Sequence, residues 1–296
     1  MSLSVSRIAM SRLFFFLLGT VFVSAAAFID FDKDYPDARL PAQYVANVDH
    51  GETLFYASGC RSCHLSTNPN SPNELGGGEA FKTNFGTFYA PNISRSSTYG
   101  IGSWTFEDFY VAMKHGQNPT GSNYFPVFPY SSYSLMNTED IADLWSYLQT
   151  LPAVDTPSKE QDIGFPFNIR QTITVWNTLY ADNAKYSFID DRAAYLVEAL
   201  GHCAQCHTPR NILGGLKTDA WLKGGKNPSG KGKIPSIHPS DLKWSKEEIV
   251  EYLSSGFTPD YDVAGGKMAS VVENTSRLSE SDRIYIAEYL LRLNDE

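Results

Sequence analysis

Basic residues are in short supply in this 296-residue chain. It has 24 Lys and Arg against 33 Asp and Glu, a formal net charge of −9 at pH 7. That balance argues against a nucleic-acid partner, which would require a basic surface. Charged residues make up 19% of the chain and hydrophobic residues 42%. The composition therefore excludes a disordered chain and indicates a globular one, long enough for two domains of ordinary size.

Cysteine is scarcer still, with only four residues. They form two Cys-x-x-Cys pairs, Cys60/Cys63 and Cys203/Cys206, each followed directly by a histidine. A zinc ribbon is excluded because its two pairs lie about 15–20 residues apart, and these are much more distant. A thioredoxin-like redox pair would need neither the trailing histidine nor a second copy.

Cys-x-x-Cys-His is the attachment site of c-type haem. The two thiols form thioethers to the porphyrin, and the histidine is the proximal iron ligand. The sequence therefore predicts two covalently bound haem c groups, one held by Cys60, Cys63 and His64, the other by Cys203, Cys206 and His207.

Uncharged residues form one long run, Leu13–Ile29, which follows Arg7 and Arg12. Its length is at the lower edge of a membrane-spanning helix. It also fits a signal peptide, with Ala25-x-Ala27 as the cleavage site. In both interpretations the rest of the chain is exported. We expect residues 1–30 to be a signal-anchor or transmembrane segment in a bacterial inner membrane, with the haem domains facing the periplasm.

The two haem motifs divide the chain into halves that repeat one plan. An amphipathic stretch leads into each motif, at 48–59 and at 192–201. Each half closes with a helix, capped at Thr138 in the first half and at Ser279 in the second. Between these landmarks, Trp104 precedes Gly116 by the same interval as Trp244 precedes Gly256.

This internal repeat predicts a mainly α-helical protein of two similar domains with one haem each. The expected boundaries are 45–151 for the first domain and 190–296 for the second. Residues 152–189 match neither and are interpreted as a linker that packs across the domains, with one amphipathic helix from Ile169 to Tyr180. The glycines at 76–78 and 214–215 lack the setting of a phosphate loop, and we expect them to let the backbone approach a haem.

The ligand on the opposite face of each iron decides its chemistry, because methionine gives an electron carrier and an empty position allows a reaction. For the second haem we expect Met268, in the loop after Gly256. The corresponding position in the first half is Phe128, which cannot bind iron. The sequence there favours Met136, and Met113 and His115 remain as rivals.

Several segments resemble a dihaem cytochrome c family related to the cytochrome subunits of membrane-bound alcohol, gluconate and fructose dehydrogenases. The resemblance extends from about residue 45 to 294. In the first half its segments are Gly51–Cys60, Leu75–Gly78, Phe85–Ser94 and Gly100–Trp104, and in the second half Gly201–Asn211 and Gly265–Val272.

The resemblance implies two tandem class I cytochrome c domains behind an N-terminal membrane segment. Such proteins pass electrons from a periplasmic dehydrogenase toward quinone, a soluble cytochrome or a terminal oxidase. The better known subunits carry three haems, whereas two are predicted here. We therefore expect a dihaem electron carrier that is not itself an enzyme. The alternatives are a dihaem peroxidase-like enzyme, if the first haem lacks its methionine, and a haem subunit of a terminal oxidase.

Overall fold

The structure is a computed structural model that describes residues 35–66, 73–181, 191–230 and 232–293. The predicted membrane segment, residues 1–30, and the linker's end, residues 182–189, lie outside these ranges. The chain divides into two units, Met1–Pro36 and Asp37–Glu296, and every helix and strand labelled below belongs to the second.

Helices dominate the first half and occur in the predicted order. Ahead of them a 3-10 turn spans Pro36–Ala38. The helices are α1 (Val48–Ala57), α2 (Cys60–His64), α3 (Phe106–His115), α4 (Tyr130–Tyr133) and α5 (Thr138–Leu148). The linker contributes α6 (Thr172–Tyr180).

The second half repeats this order. Its elements are α7 (Arg192–Ala194), a π-helical turn (Tyr195–Leu200), α8 (Ala204–His207), a 3-10 turn (Thr218–Ala220), α9 (Lys246–Ser255), α10 (Lys267–Thr275) and α11 (Glu280–Arg292).

A small amount of sheet accompanies the helices. Strands β1 (Ala80–Thr83), β2 (Gly86–Tyr89) and β3 (Asp162–Ile163) form an antiparallel sheet, with Phe81 opposite Phe88. Strands β4 (Gly225–Lys226) and β5 (Lys233–Ile234) pair in the second half. The predicted helix-rich class is confirmed. The strands were not predicted, because two to four residues are too few to show an alternating pattern.

Equivalent helices in the two halves begin and end in the same way. At the start of α3 the side chains of Thr105 and Asp108 cap each other's backbone, and Ser245 and Glu248 do so at the start of α9. Such a capping box satisfies two amide donors that the helix cannot satisfy itself. Both helices end at a glycine in the left-handed conformation, Gly116 or Gly256.

Helices α1 and α5 pack closely through Gly51. A Cβ atom on this residue would lie 2.1 Å from the carbonyl oxygen of Asp143. The Asp143 side chain is only 3% exposed, and three donors surround it: the Tyr44 hydroxyl at 2.6 Å, the Asn47 amide at 2.7 Å and Nδ1 of His50 at 2.8 Å. Because these donors compensate the carboxylate for lost water, the network stabilises the helix pair.

The linker contacts both halves. Ile173 of α6 packs in a buried cluster with Phe88 and Phe125 of the first half. On the same helix, the Trp176 indole donates to the carbonyl of Leu213 in the second half, at 2.9 Å. The segment before α6 adds strand β3 to the sheet. These contacts make the described part of the linker a packed element rather than a tether.

Three local expectations need correction. Asn137 precedes the first residue of α5, while the Thr138 hydroxyl bonds the carbonyl of Asp37 instead of capping the helix. The stretch before the second motif is largely π-helical, since the Gly201 amide bonds the carbonyl of Leu196, five residues back. The linker helix starts at Thr172 rather than Ile169.

A transmembrane helix requires about 20 apolar residues in sequence. Among residues 35–66, 73–181, 191–230 and 232–293, no helix combines that length with sufficient apolarity.

Candidate haem-binding sites

Each Cys-x-x-Cys-His motif folds into a short helix. Cys60 and Cys63 lie on α2, and Cys203 directly precedes α8, which carries Cys206. Residues three apart on a helix lie on the same face, so the two thiols of each motif point in a common direction. None of these four cysteines forms a disulfide.

The motif histidines are oriented by backbone carbonyls. Nδ1 of His64 lies 2.8 Å from the carbonyl oxygen of Pro91, and Nδ1 of His207 lies 2.8 Å from that of Pro235. Nδ1–H donates in this arrangement, which leaves the lone pair of Nε2 free for a metal. Desolvation lowers the pKa of both histidines, so both imidazoles are held in the neutral, metal-binding form.

Two glycines bring the orienting carbonyls close to the motifs. The Gly77 amide donates to the His64 carbonyl at 2.9 Å, and the Gly224 amide donates to the His207 carbonyl at 2.6 Å. Both glycines have φ +70, where L-residues are strained. A Cβ on Gly77 would lie 2.4 Å from the Pro91 carbonyl oxygen.

Gly77 belongs to the predicted glycine stretch 76–78, but its partner in the second half is Gly224 rather than 214–215. Gly214 and Gly215 lie instead against the rings of Phe85 and Tyr180. Gly224 could not be identified from the sequence, because the residue that its amide contacts, His207, is distant from it in the chain.

Asn92 holds the Pro91 segment in place. Its side-chain amide donates to the carbonyls of Val154 and Thr156 at 2.7 and 2.8 Å, and its Oδ1 accepts from the Ser94 amide at 2.9 Å. The side chain is 3% exposed. In the sequence, Asn92 stood out only as part of the segment Phe85–Ser94 that resembles the family. Its role could have been suspected from its position directly after Pro91.

The thiols do not have the properties of a redox-active pair. Desolvation raises the pKa of Cys60 and of Cys203 to about 12, and that of Cys63 to about 11. Thiol–disulfide chemistry requires a lowered pKa, because the thiolate is the nucleophile. The environment therefore agrees with the exclusion of a thioredoxin-like pair.

The structure places the predicted axial methionines at non-equivalent positions. The Tyr124 amide bonds the Gly116 carbonyl at 2.6 Å, and the Ala264 amide bonds the Gly256 carbonyl at 2.8 Å. Counting onward from Tyr124 and Ala264, Phe128 corresponds to Met268. Phe128 packs among the rings of Tyr124, Tyr130 and Tyr133, with centroid distances of 5.7, 6.2 and 5.7 Å.

Met136 lies at the end of the turn that precedes α5. Its amide bonds the carbonyl of Tyr133 at 2.9 Å, as the amide of Leu278 bonds that of Thr275 at 3.2 Å before α11. Met136 is 1% exposed and Leu278 5%. The rival Met113, on α3, is 4% exposed. Burial alone does not distinguish a ligand from a core residue, so Met136 and Met268 stay predictions.

The donor set of each motif fits a covalently bound haem. Two thiols share one face, and a neutral imidazole beside them keeps Nε2 available. When bound, the group supplies an iron that gains and loses one electron. The protein's contribution is to orient the histidine through Pro91 or Pro235. Fold and site together define a helical c-type cytochrome with two repeated attachment sites.

Known proteins agree with this class. No protein-family model matches the chain. It is 47% identical over 266 residues to a diheme cytochrome c-type protein of Cereibacter sphaeroides, covering 87% of this chain and 89% of that one. The chain belongs to this dihaem cytochrome c family, and the relationship predicted from the motifs is confirmed.

Cytochrome subunits of dehydrogenases are more distant relatives. The fructose dehydrogenase cytochrome subunit of Gluconobacter japonicus is 33% identical over 257 residues, which are 82% of this chain and 52% of the subunit. The cytochrome c subunit of a quinone-dependent alcohol dehydrogenase of Gluconacetobacter polyoxogenes is 32% identical over 275 residues, 86% and 58% of the two chains. The chain thus spans little more than half the length of these two subunits.

Proposed function

We propose that this protein carries two covalently bound haems and relays single electrons from a periplasmic dehydrogenase to the respiratory chain. In this proposal His64 and Met136 are the axial ligands of the first iron, and His207 and Met268 those of the second. Quinone, a soluble cytochrome or a terminal oxidase receives the electrons.

One observation supports the relay most: the same histidine geometry occurs at both attachment sites. His64 and His207 each donate through Nδ1 to a proline carbonyl at 2.8 Å. A fixed imidazole orientation keeps an iron in one coordination geometry in both oxidation states, which suits repeated electron transfer. The dehydrogenase subunits among the relatives support a dehydrogenase as donor.

A dihaem peroxidase-like enzyme is the second candidate, and Phe128 is the observation that favours it. Phe128 stands where Met268 stands in the second half and cannot bind iron. If Met136 does not replace it, the first haem has an open coordination position, where a small substrate such as peroxide could react.

Carbon monoxide binding separates these two functions. A carrier with two His/Met irons should show no change in its reduced spectrum on addition of carbon monoxide, because neither iron has a free position. Rapid binding to half of the haem in the unaltered protein would show that one of the two irons has an open position. The enzyme proposal would then replace the relay.

The donor, acceptor and location need separate tests. Purification of the protein from membranes under mild conditions should recover a dehydrogenase with it, and reduction of the haems by that enzyme's substrate would show the direction of flow.

If residues 1–30 are a retained anchor, the mature N-terminus will precede Leu13 and carbonate will not release the protein from membranes. A start near Phe28 would show a cleaved signal peptide.

A further inference from the structure

The two attachment motifs pack against each other's halves in a reciprocal way. Ser62, within the first motif, accepts a hydrogen bond from the Asn274 side chain of α10 at 2.6 Å. Gln205, within the second motif, donates to the hydroxyl of Ser132 on α4 at 3.2 Å. Ser62 and Gln205 occupy the same position in their motifs. Each half therefore presents the helix that precedes its final helix, α4 or α10, to the other half's haem motif.

Gly59 and His202, the residues just before each first cysteine, face each other at this junction. Gly59 has φ +66 and His202 has φ 38, so both adopt the left-handed conformation. A Cβ atom on Gly59 would lie 3.9 Å from Nε2 of His202. Glycine adopts this conformation freely, whereas a residue with a Cβ atom is strained there. The second half thus keeps a strained histidine where the first half has glycine.

Tyr133 completes the contact. Its hydroxyl donates to the carbonyl of Ser58 at 2.6 Å, and its ring meets the ring of His202 edge to face, with centroids 5.5 Å apart. Tyr133 is 5% exposed and Ser58 0%. A buried tyrosine of the first half therefore connects the backbone beside the first motif with the histidine beside the second.

We infer that His202 and Tyr133 are positioning residues that fix the two attachment motifs against each other, so that an electron passes directly between the two haems of one chain. The inference rests on the proposed relay. In the step, the ferrous iron beside one motif is oxidised to ferric and the ferric iron beside the other is reduced to ferrous. One electron moves, and neither a proton nor a further reactant is needed.

The test uses the dihaem protein, reduced by a light flash to less than one electron per chain, with redistribution between the haems followed by absorbance. Low-temperature electron paramagnetic resonance of the oxidised protein gives a second signal, the magnetic broadening of each iron by the other. We expect a fast phase whose rate does not depend on protein concentration. His202→Gly should lose that phase and the broadening, and Tyr133→Phe should slow the phase.

His202→Gly suits this test because glycine prefers the left-handed backbone found there. Two variants serve as controls. Tyr261→Gly removes another side chain with positive φ, at a position 96% exposed, and Tyr130→Phe removes a hydroxyl on the same helix that bonds Asn177. Both should keep the fast phase.

Two results would overturn the inference: a fast phase unchanged in both His202→Gly and Tyr133→Phe, or a wild-type rate that rises with protein concentration. Either would leave the relay intact, since electrons would still pass within the chain in the first case and between chains in the second. Carbon monoxide binding by the wild type would instead overturn the relay alone. Should His202→Gly fail to fold, Tyr133→Phe and the wild-type concentration series decide the question.

Discussion

The hydroxyl of Tyr289, on the last helix, lies 2.7 Å from Oε1 of Glu198, on the π-helical turn before the second motif. The indole of Trp221 donates to the same oxygen at 3.0 Å. Glu198 is 4% exposed, and desolvation raises its pKa even though both donors oppose the increase. Burial thus favours the neutral carboxyl more strongly than the two donors favour the carboxylate.

This relationship predicts a pH-dependent stability. Because the pKa of Glu198 is higher in the folded than in the unfolded state, its stabilising contribution is full below the unfolded-state pKa of about 4.3 and is lost as the pH rises through the folded-state value. Each tenfold difference in proton affinity corresponds to about 1.4 kcal/mol. Glu198→Gln should therefore gain stability relative to wild type as the pH rises from 4 to 8. Urea unfolding across this range checks it, and parallel curves for the two proteins would contradict it.

Gly77→Ala should destabilise the protein by more than about 2 kcal/mol, since the left-handed strain of about 1–2 kcal/mol is joined by a clash with the Pro91 carbonyl. Gly230→Ala is the matched control, because Gly230 has φ +83 and, apart from its chain neighbours, no atom of the described residues lies within 4 Å of its added Cβ. Thermal unfolding measures both, and the haem content of the first site should fall only in Gly77→Ala. Equal losses in the two variants would show that the close approach is unimportant.

Asn92→Ala should loosen the carbonyl that orients His64. The variant leaves the Thr156 carbonyl without its side-chain donor and the Val154 carbonyl with only the longer bond from Ser94, at a cost of about 1–3 kcal/mol. We expect lower stability and a shifted reduction potential at one haem, measured by spectroelectrochemistry. Ser236→Ala, at the corresponding position of the second half, removes two long hydrogen bonds of 3.3 Å, one donated to the Leu222 carbonyl and one accepted from the His238 amide, and should change less. If both reduction potentials are unchanged in Asn92→Ala, the hydrogen bonds of Asn92 do not affect the potential of either haem.

The axial ligands can be tested one at a time. Met136→Ala and Met268→Ala should each open one iron to carbon monoxide and lower that haem's potential, because the thioether favours ferrous iron. Met113→Ala, a buried methionine on α3, should reduce stability by about 2–5 kcal/mol without opening either iron. If Met136→Ala behaves like Met113→Ala, Met136 is a core residue and the first iron has another ligand or none.

The haem count has a direct measurement. The intact mass of the exported protein should exceed that of its polypeptide by two haem groups, and the excess should survive acid and organic solvent because thioethers are covalent. Cys203→Ser with Cys206→Ser should remove one of the two. A native mass with one haem or none would contradict the predicted count of two.

Local sequence determined the chemistry of the attachment sites. Covalent attachment needs two thiols and an imidazole at fixed spacing, so Cys60, Cys63 and His64 could be recognised in five consecutive residues, and the copy at Cys203 likewise. Helices could also be located, because the cap at Ser279 and the glycine at Gly116 act within one turn of their own chain.

Contacts between distant residues were decided only by the tertiary structure. Pro91 orients His64 across 27 positions, Asn274 reaches Ser62 across 212, and Tyr133 meets His202 at the junction. No local pattern specifies such pairs. Each depends on how the helices pack and on the strained backbone conformations that this packing stabilises. The equal spacing of Phe128 from Gly116 and of Met268 from Gly256 was visible in the sequence. Only the structure shows that the carbonyls of both glycines accept equivalent hydrogen bonds, so that Phe128 and Met268 are equivalent positions.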